Sequence, residues 1–163
     1  MGKEDGVILR VVSPTGAERE ELVCLWEASV RSSHRFLREE DIGFFRPLVR
    51  DSYLPAVELY VLKEGQGRSV AFLGLDGEMI EMLFVHPAWQ GRGYGTRLVD
   101  FAVRERGCRR VDVNEQNPRA LRFYLGRGFR AAGRDATDAA GKPFPILHLR
   151  LPDEPQKPQK PQK

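Results

Sequence analysis

Apolar positions change period several times between residues 7 and 151, and each change marks an element. The run from Val7 to Val12 predicts a first strand. Thr15 and Glu18 stand at capping-box spacing ahead of Leu22, Leu25, Trp26, Ser29 and Val30, which share one helical face. A helix to about Ser32 follows from that pattern. A second helical stretch covers 39–53, with Ile42, Phe45, Val49 and Tyr53 as its stripe; Pro47 inside it predicts a kink or a split. Three strand-like runs come next, at 57–62, 69–75 and 78–85. Gly65-Gln66-Gly67 links the first two, and Asp76-Gly77, a strong hairpin signal, links the second pair. The middle of the chain is therefore an antiparallel meander. Beyond it the pattern predicts a helix at 94–106, a strand at 109–114, a helix at 118–126 and strands at 128–134 and 145–151. This β-α-α-β-β-β-α-β-α-β-β order predicts a mixed α/β (α+β) domain built around one sheet.

Composition fits one such domain. The 163 residues, 41% hydrophobic, supply one sizeable core and exclude wholesale disorder, a collagen-like fibre and a multi-domain assembly. No apolar run approaches the ~18 residues of a membrane span, and the N-terminus carries Glu4 and Asp5 without an apolar stretch. The expectation is a cytoplasmic protein with no membrane partner, with Cys24 and Cys108 as free thiols. Net charge is +3 and the arginines are scattered, so no nucleic-acid partner is expected. The domain is expected to fill residues 1–151. After it, 152–163 hold Asp153, Glu154 and three copies of Pro-Gln-Lys, which predicts a disordered, partly polyproline tail.

The sharpest chemical feature is Gln90-Gly91-Arg92-Gly93-Tyr94-Gly95-Thr96, set between a strand and a helix whose apolar positions are Leu98, Val99, Ala102 and Val103. Glycines let the backbone approach a ligand closely, and a helix start adds unpaired N–H donors and partial positive charge. The turn suits a phosphate or pyrophosphate, and Arg92 adds a full charge. A dinucleotide fingerprint needs its glycines directly after the strand, in a βαβ unit. Here residues 86–90 intervene, and hairpins precede the turn. A phosphate-loop NTPase needs a Gly-Lys-Ser/Thr ending, which is absent. A glycine turn that only serves tight packing remains open.

These residues resemble the GNAT superfamily of acyl-CoA-dependent N-acetyltransferases. Its hallmark, Gln/Arg-x-x-Gly-x-Gly/Ala, is matched by Gln90-Gly91-Arg92-Gly93-Tyr94-Gly95. A second hallmark follows in order as Asn117-Pro118-Arg119-Ala120, then Phe123-Tyr124, then Gly128-Phe129. The segment around Trp26, Ser29-Val30 and His34-Arg35-Phe36-Leu37, with the run Val113-Asn114-Glu115-Gln116-Asn117, is similar to a YjaB-like bacterial subgroup. The resemblance implies a GNAT-like, largely antiparallel central sheet of six to seven strands with the fourth and fifth splayed, flanked by about four helices.

It also implies direct transfer of acetyl from acetyl-CoA, a co-substrate, to a primary amine on a small molecule or peptide. Leu83, Phe84 and Val85 would then pair through their backbone with the pantetheine arm. The turn from Gln90 to Thr96 would hold the pyrophosphate, and Asn117, Ala120 and Phe123 would lie along the arm. Tyr124 stands at the family's general-acid position; on an amphipathic helix, a Phe-Tyr pair puts one ring in the core and the other at the rim. Glu81 and Asp112 are both candidate bases, and either is equally a solvated strand carboxylate. Glu81 shares a face with Leu83 and Val85 by period-2 counting, and Asp112 with Asn114. His34 and Asn114 are candidate substrate contacts. His86 reads as a loop residue, and His148 as core-adjacent or at an edge. Three dispersed histidines and two distant cysteines lack ligand spacing, so no metal is expected. The alternative from another class is a non-catalytic module that binds or senses acyl-CoA. A monomer and a homodimer are both compatible with the sequence.

Overall fold

The structure is a computed structural model that describes residues 6–65 and 67–152. The expected tail, apart from Pro152, lies outside the described residues. The chain divides into two compact units, Met1–Cys108 and Arg109–Lys163.

In the first unit, β1 (Val7–Val11), β2 (Glu58–Glu64), β3 (Arg68–Asp76) and β4 (Met79–Val85) pair in sequence order, each antiparallel to the next. The β3–β4 turn has Gly77 and Glu78 as its central pair. Gly77 takes φ +61° and Glu78 keeps a negative φ, the pattern of a type II′ rather than an Asp-Gly type I′ turn.

Helix α1 (Gly16–Ser33) starts on a complete capping box: Thr15 Oγ1 accepts from Glu18 N at 3.1 Å, and Thr15 N donates to Glu18 Oε1 at 2.8 Å. Its Leu22, Leu25, Trp26, Ser29 and Val30 are buried, as the spacing predicts. The second helical stretch is split. Helix α2 (Glu39–Leu48) runs into a π-helical turn (Val49–Tyr53), followed by the short α3 (Leu54–Ala56). Pro47 has no N–H to continue the α ladder, and the wider turn closes with Leu54 N donating to Val49 O. Arg19 Nη1 satisfies the Arg50 carbonyl in this segment at 3.0 Å.

Sheet alternation separates two packed faces. Leu59, Val61, Phe72 and Met82 join Leu22, Trp26, Ile42 and Leu54 in one apolar cluster. On the other face α4 (Tyr94–Arg106) packs on β3 and β4, with Phe101 edge-on to Tyr60 at 4.8 Å between ring centroids.

In the second unit, β5 (Arg110–Asn114) and β6 (Arg130–Asp135) flank β7 (Ile146–Arg150), both antiparallel to it. Helix α5 (Pro118–Gly126) packs on β5. His148 thus sits on the central strand of this unit. Among the described residues the two units together supply seven strands. Cys24 is exposed and Cys108 buried, and they form no disulfide; burial pushes the Cys108 thiol up to about 11.

Candidate active site

Glu81 owes its position to an irregularity in β4. Gly74 pairs with Met82 and Leu75 with Ile80, so Glu81 is an extra residue without an opposite number. Such a bulge turns a side chain away from the regular pleat. The bulge interrupts the period-2 counting that groups Glu81 with Leu83 and Val85. Glu81 is exposed between the buried Ile80 and Met82. Leu83, Phe84 and Val85 continue β4 beyond the bulge, half-buried and paired with Leu73, Phe72 and Ala71.

A 3₁₀ turn (Pro87–Trp89) follows, capped by His86, whose Nδ1 accepts from Ala88 N at 3.1 Å. The glycine turn then bends back into α4. Gln90 Nε2 donates to Val85 O at 3.2 Å and ties the turn to the end of β4. Gly91 and Gly93 have φ of +81° and +84°, a region that costs any other L-residue, and both are exposed. Arg97 N donates to Gly93 O at 3.0 Å, the bond that opens α4. N–H groups before it lie in the segment where a helix has no internal acceptors. The Arg92 guanidinium stacks over the Trp89 ring at 4.4 Å, and Trp89 stacks in turn on Tyr94 at 6.4 Å. The Tyr94 ring is buried and its hydroxyl bonds Glu64, so only its main chain faces a ligand at the turn. Gly95 and Thr96 form the first turn of the helix. Curled backbone, a helix N-terminus and a guanidinium stacked on Trp89 give this turn the chemistry that suits an anion.

In the second unit Asn117 caps α5, accepting from Ala120 N at 3.3 Å through Oδ1, which leaves its amide N–H₂ as the group a ligand can use. Asn114 O accepts from Asn117 N at 3.0 Å at the end of β5. Ala120 and Phe123 are half-buried. The Phe-Tyr pair is arranged with Tyr124 as the core ring: it is 5% exposed, edge-on to Phe123 at 5.0 Å and to Phe129 at 5.6 Å. No hydrogen bond from its hydroxyl to a described residue is formed, yet no described polar side-chain atom is both buried and unpartnered. The hydroxyl therefore reaches accessible surface while its ring is enclosed. Burial raises the phenol above its usual range, which keeps it protonated and able to donate.

His34 ends α1, its Nδ1 2.8 Å from Ser33 Oγ. Burial lowers its pKa to about 4, so it is a neutral imidazole at pH 7. Asp112 is engaged elsewhere: His148 lies between Asp112 Oδ1 at 2.8 Å and Asp135 Oδ2 at 2.9 Å, a clamp across three strands that the sequence reading missed. Register pairing of Asp112 with His148 is the signal that would have found it. Among the described residues no group of three or more His, Cys, Asp or Glu side chains is arranged to hold a metal.

The two carboxylates raise the His148 pKa, Asp112 contributing most. Because the folded pKa exceeds the unfolded one, the clamp stabilises fully below about pH 6.5 and is lost as pH rises through the folded value. His148→Asn is expected to cost about 0.5–1 kcal/mol at pH 6, a figure discounted for solvent screening, and close to nothing at pH 9. Paired thermal melts across that range check it; a difference independent of pH would mean the clamp is uncharged.

A family description, the acetyltransferase (GNAT) domain, matches residues 55–131. The chain is also 38% identical over 135 residues to the peptidyl-lysine N-acetyltransferase YjaB of Salmonella typhimurium, covering 83% of this chain and 92% of that protein. It belongs to the GNAT family and transfers an acetyl group to an amine. The solution structure of apo-form YjaB from Escherichia coli superposes with a TM-score of 0.81 at 36% identity, covering 91% of this chain and 98% of that one. The PaiA N-acetyltransferase of Thermoplasma acidophilum, in complex with coenzyme A, shares the fold at 15% identity, with a TM-score of 0.68 and coverage of 91% and 99%. No helix among the described residues is long and apolar enough to cross a membrane.

Proposed function

We propose that this enzyme uses acetyl-CoA to acetylate the side-chain amine of lysine in polypeptides. The observation that carries the reading is the 38% identity over most of the chain to a protein named a peptidyl-lysine N-acetyltransferase. The 90–96 turn binds the pyrophosphate, the main chain of Leu83, Phe84 and Val85 meets the amides of the pantetheine arm, and Asn117, Ala120 and Phe123 contact the same arm. His34 and Asn114 contact the acceptor. Glu81 takes the proton that the ammonium must lose. The neutral amine attacks the thioester carbonyl, the C–S bond breaks as Tyr124 protonates the departing thiolate, and the proton that the new amide nitrogen sheds restores the Tyr124 phenol. No metal is assigned a role in this chemistry. An exposed, unbridged Cys24 supports a reducing compartment such as the cytoplasm.

The test is a panel of lysine peptides, free amino acids and polyamines, with CoA release followed by a thiol reagent and the products mapped by mass spectrometry. Acetyl-lysine within peptides is the expected major product. Faster turnover of polyamines or free amino acids overturns the acceptor assignment.

A further inference from the structure

We propose that a row of three arginines on the second unit docks an acidic segment of the polypeptide acceptor. The proposal rests on the lysine-peptide reading and adds a specificity surface to it. Arg110 on β5 pairs in register with Arg150 on β7, and Arg150 pairs with Arg130 on β6. All three are exposed. Cross-strand neighbours of this kind hold their Cβ atoms about 5 Å apart, where like charges repel and destabilise the sheet. None of the three forms an ion pair with a described residue; Arg130 Nη1 donates only to the Phe129 carbonyl, at 2.9 Å.

The carboxylates nearest in register are withheld. Asp112, opposite His148 one step along this face, and Asp135, opposite Ile146 one step beyond, are both taken by His148 at 2.8 and 2.9 Å. The face thus satisfies its own acids with a histidine and leaves its guanidiniums for another partner. Charge across the unit points the same way: residues 109–163 hold twelve Lys and Arg against six Asp and Glu, whereas residues 1–108 hold fourteen against seventeen.

Strands lie about 4.8 Å apart, so the row spans roughly 10 Å. An extended peptide presents alternate side chains about 7 Å apart on one side, so two alternate Asp or Glu residues fit the row, each reachable by a two-pronged guanidinium. A free carboxylate or a single phosphate would engage only part of it.

The experiment uses the full chain and a lysine-free, fluorescein-labelled peptide with Glu at alternate positions, beside its Gln counterpart. Anisotropy should show the Glu peptide binding at low salt and weakening as salt rises, with the Gln peptide inert. The triple variant Arg110→Gln, Arg130→Gln, Arg150→Gln should weaken binding by about tenfold or more, and the triple Lys variant should retain most of it. In steady state, the KM for a lysine peptide with an acidic flank should rise about tenfold in the Gln variant. Its kcat, and the KM for a neutral-flank peptide, should stay unchanged. Wild-type affinity in the Gln variant overturns the proposal, as does tighter binding of a single-stranded oligonucleotide of equal charge. Failure to acetylate any lysine peptide would sink the acceptor reading instead, while the anisotropy would still decide whether the row docks acid.

Discussion

Replacing Tyr124 with phenylalanine is expected to lower turnover by roughly 10²–10⁴, the range for loss of one general acid. The ring is held between Phe123 and Phe129, and Phe keeps that packing, so the fold should be unaffected. Affinity for acetyl-CoA should change by less than about 1 kcal/mol, since at most one hydrogen bond is lost. The loss should appear in kcat. A loss confined to KM would mark the hydroxyl as a binding group. The raised phenol pKa adds a second signature: wild-type turnover should not decline through the ordinary tyrosine range near pH ~10, because the buried group still holds its proton there. Near-full turnover in the Phe variant would show that solvent or another group protonates the thiolate.

Gly93→Asp should abolish acetyl-CoA binding. The position has open space around it, with nothing within 4 Å of an added Cβ, so bulk within the protein is not the obstacle. Two other costs apply. The φ of +84° strains an L-residue by about 1 kcal/mol or more, and a carboxylate there would meet the pyrophosphate proposed to bind this turn. At an effective dielectric near 20, two like charges about 5 Å apart repel by roughly 3 kcal/mol, about a hundredfold in affinity for each phosphate charge. Gly93→Asn carries nearly the same backbone demand without the charge, so it should weaken binding far less. Calorimetric titration with acetyl-CoA of both variants separates the two costs. Equal affinity in the Asp and Asn variants would remove the electrostatic basis for pyrophosphate binding at this turn.

Local pattern carried much of the fold. The capping box at Thr15, helix α4 with glycines at both ends and helix α5 behind Asn117 and Pro118 all reside where spacing and caps put them, because each signal is contained within a few residues. What the pattern does not carry has a different cause. The bulge at Glu81 is a property of the pairing with Gly74 and Leu75, and the His148 clamp is a property of register among three strands. Neither is written into the periodicity of a single segment. Tyr124 was legible as a motif position, but which ring of the pair turns inward depends on Phe129, beyond the end of its helix. The geometry of the glycine turn was the most legible local feature, since its glycines and helix start are contiguous. Its Trp89–Arg92 stack required the three-dimensional turn.

The π-helical turn after Pro47 has a consequence for how this chain aligns with its relatives. It sets Val49 and Leu54 five residues apart, both buried, where an unbroken α-helix brings a residue back to the same side after three or four. One residue among the exposed Asp51 and Ser52 is thus surplus to the helical phase. A homologue one residue shorter here keeps both apolar anchors inward by reverting to plain α geometry. Gaps between 50 and 53 therefore record a change of helix winding, with the packed interior left as it was.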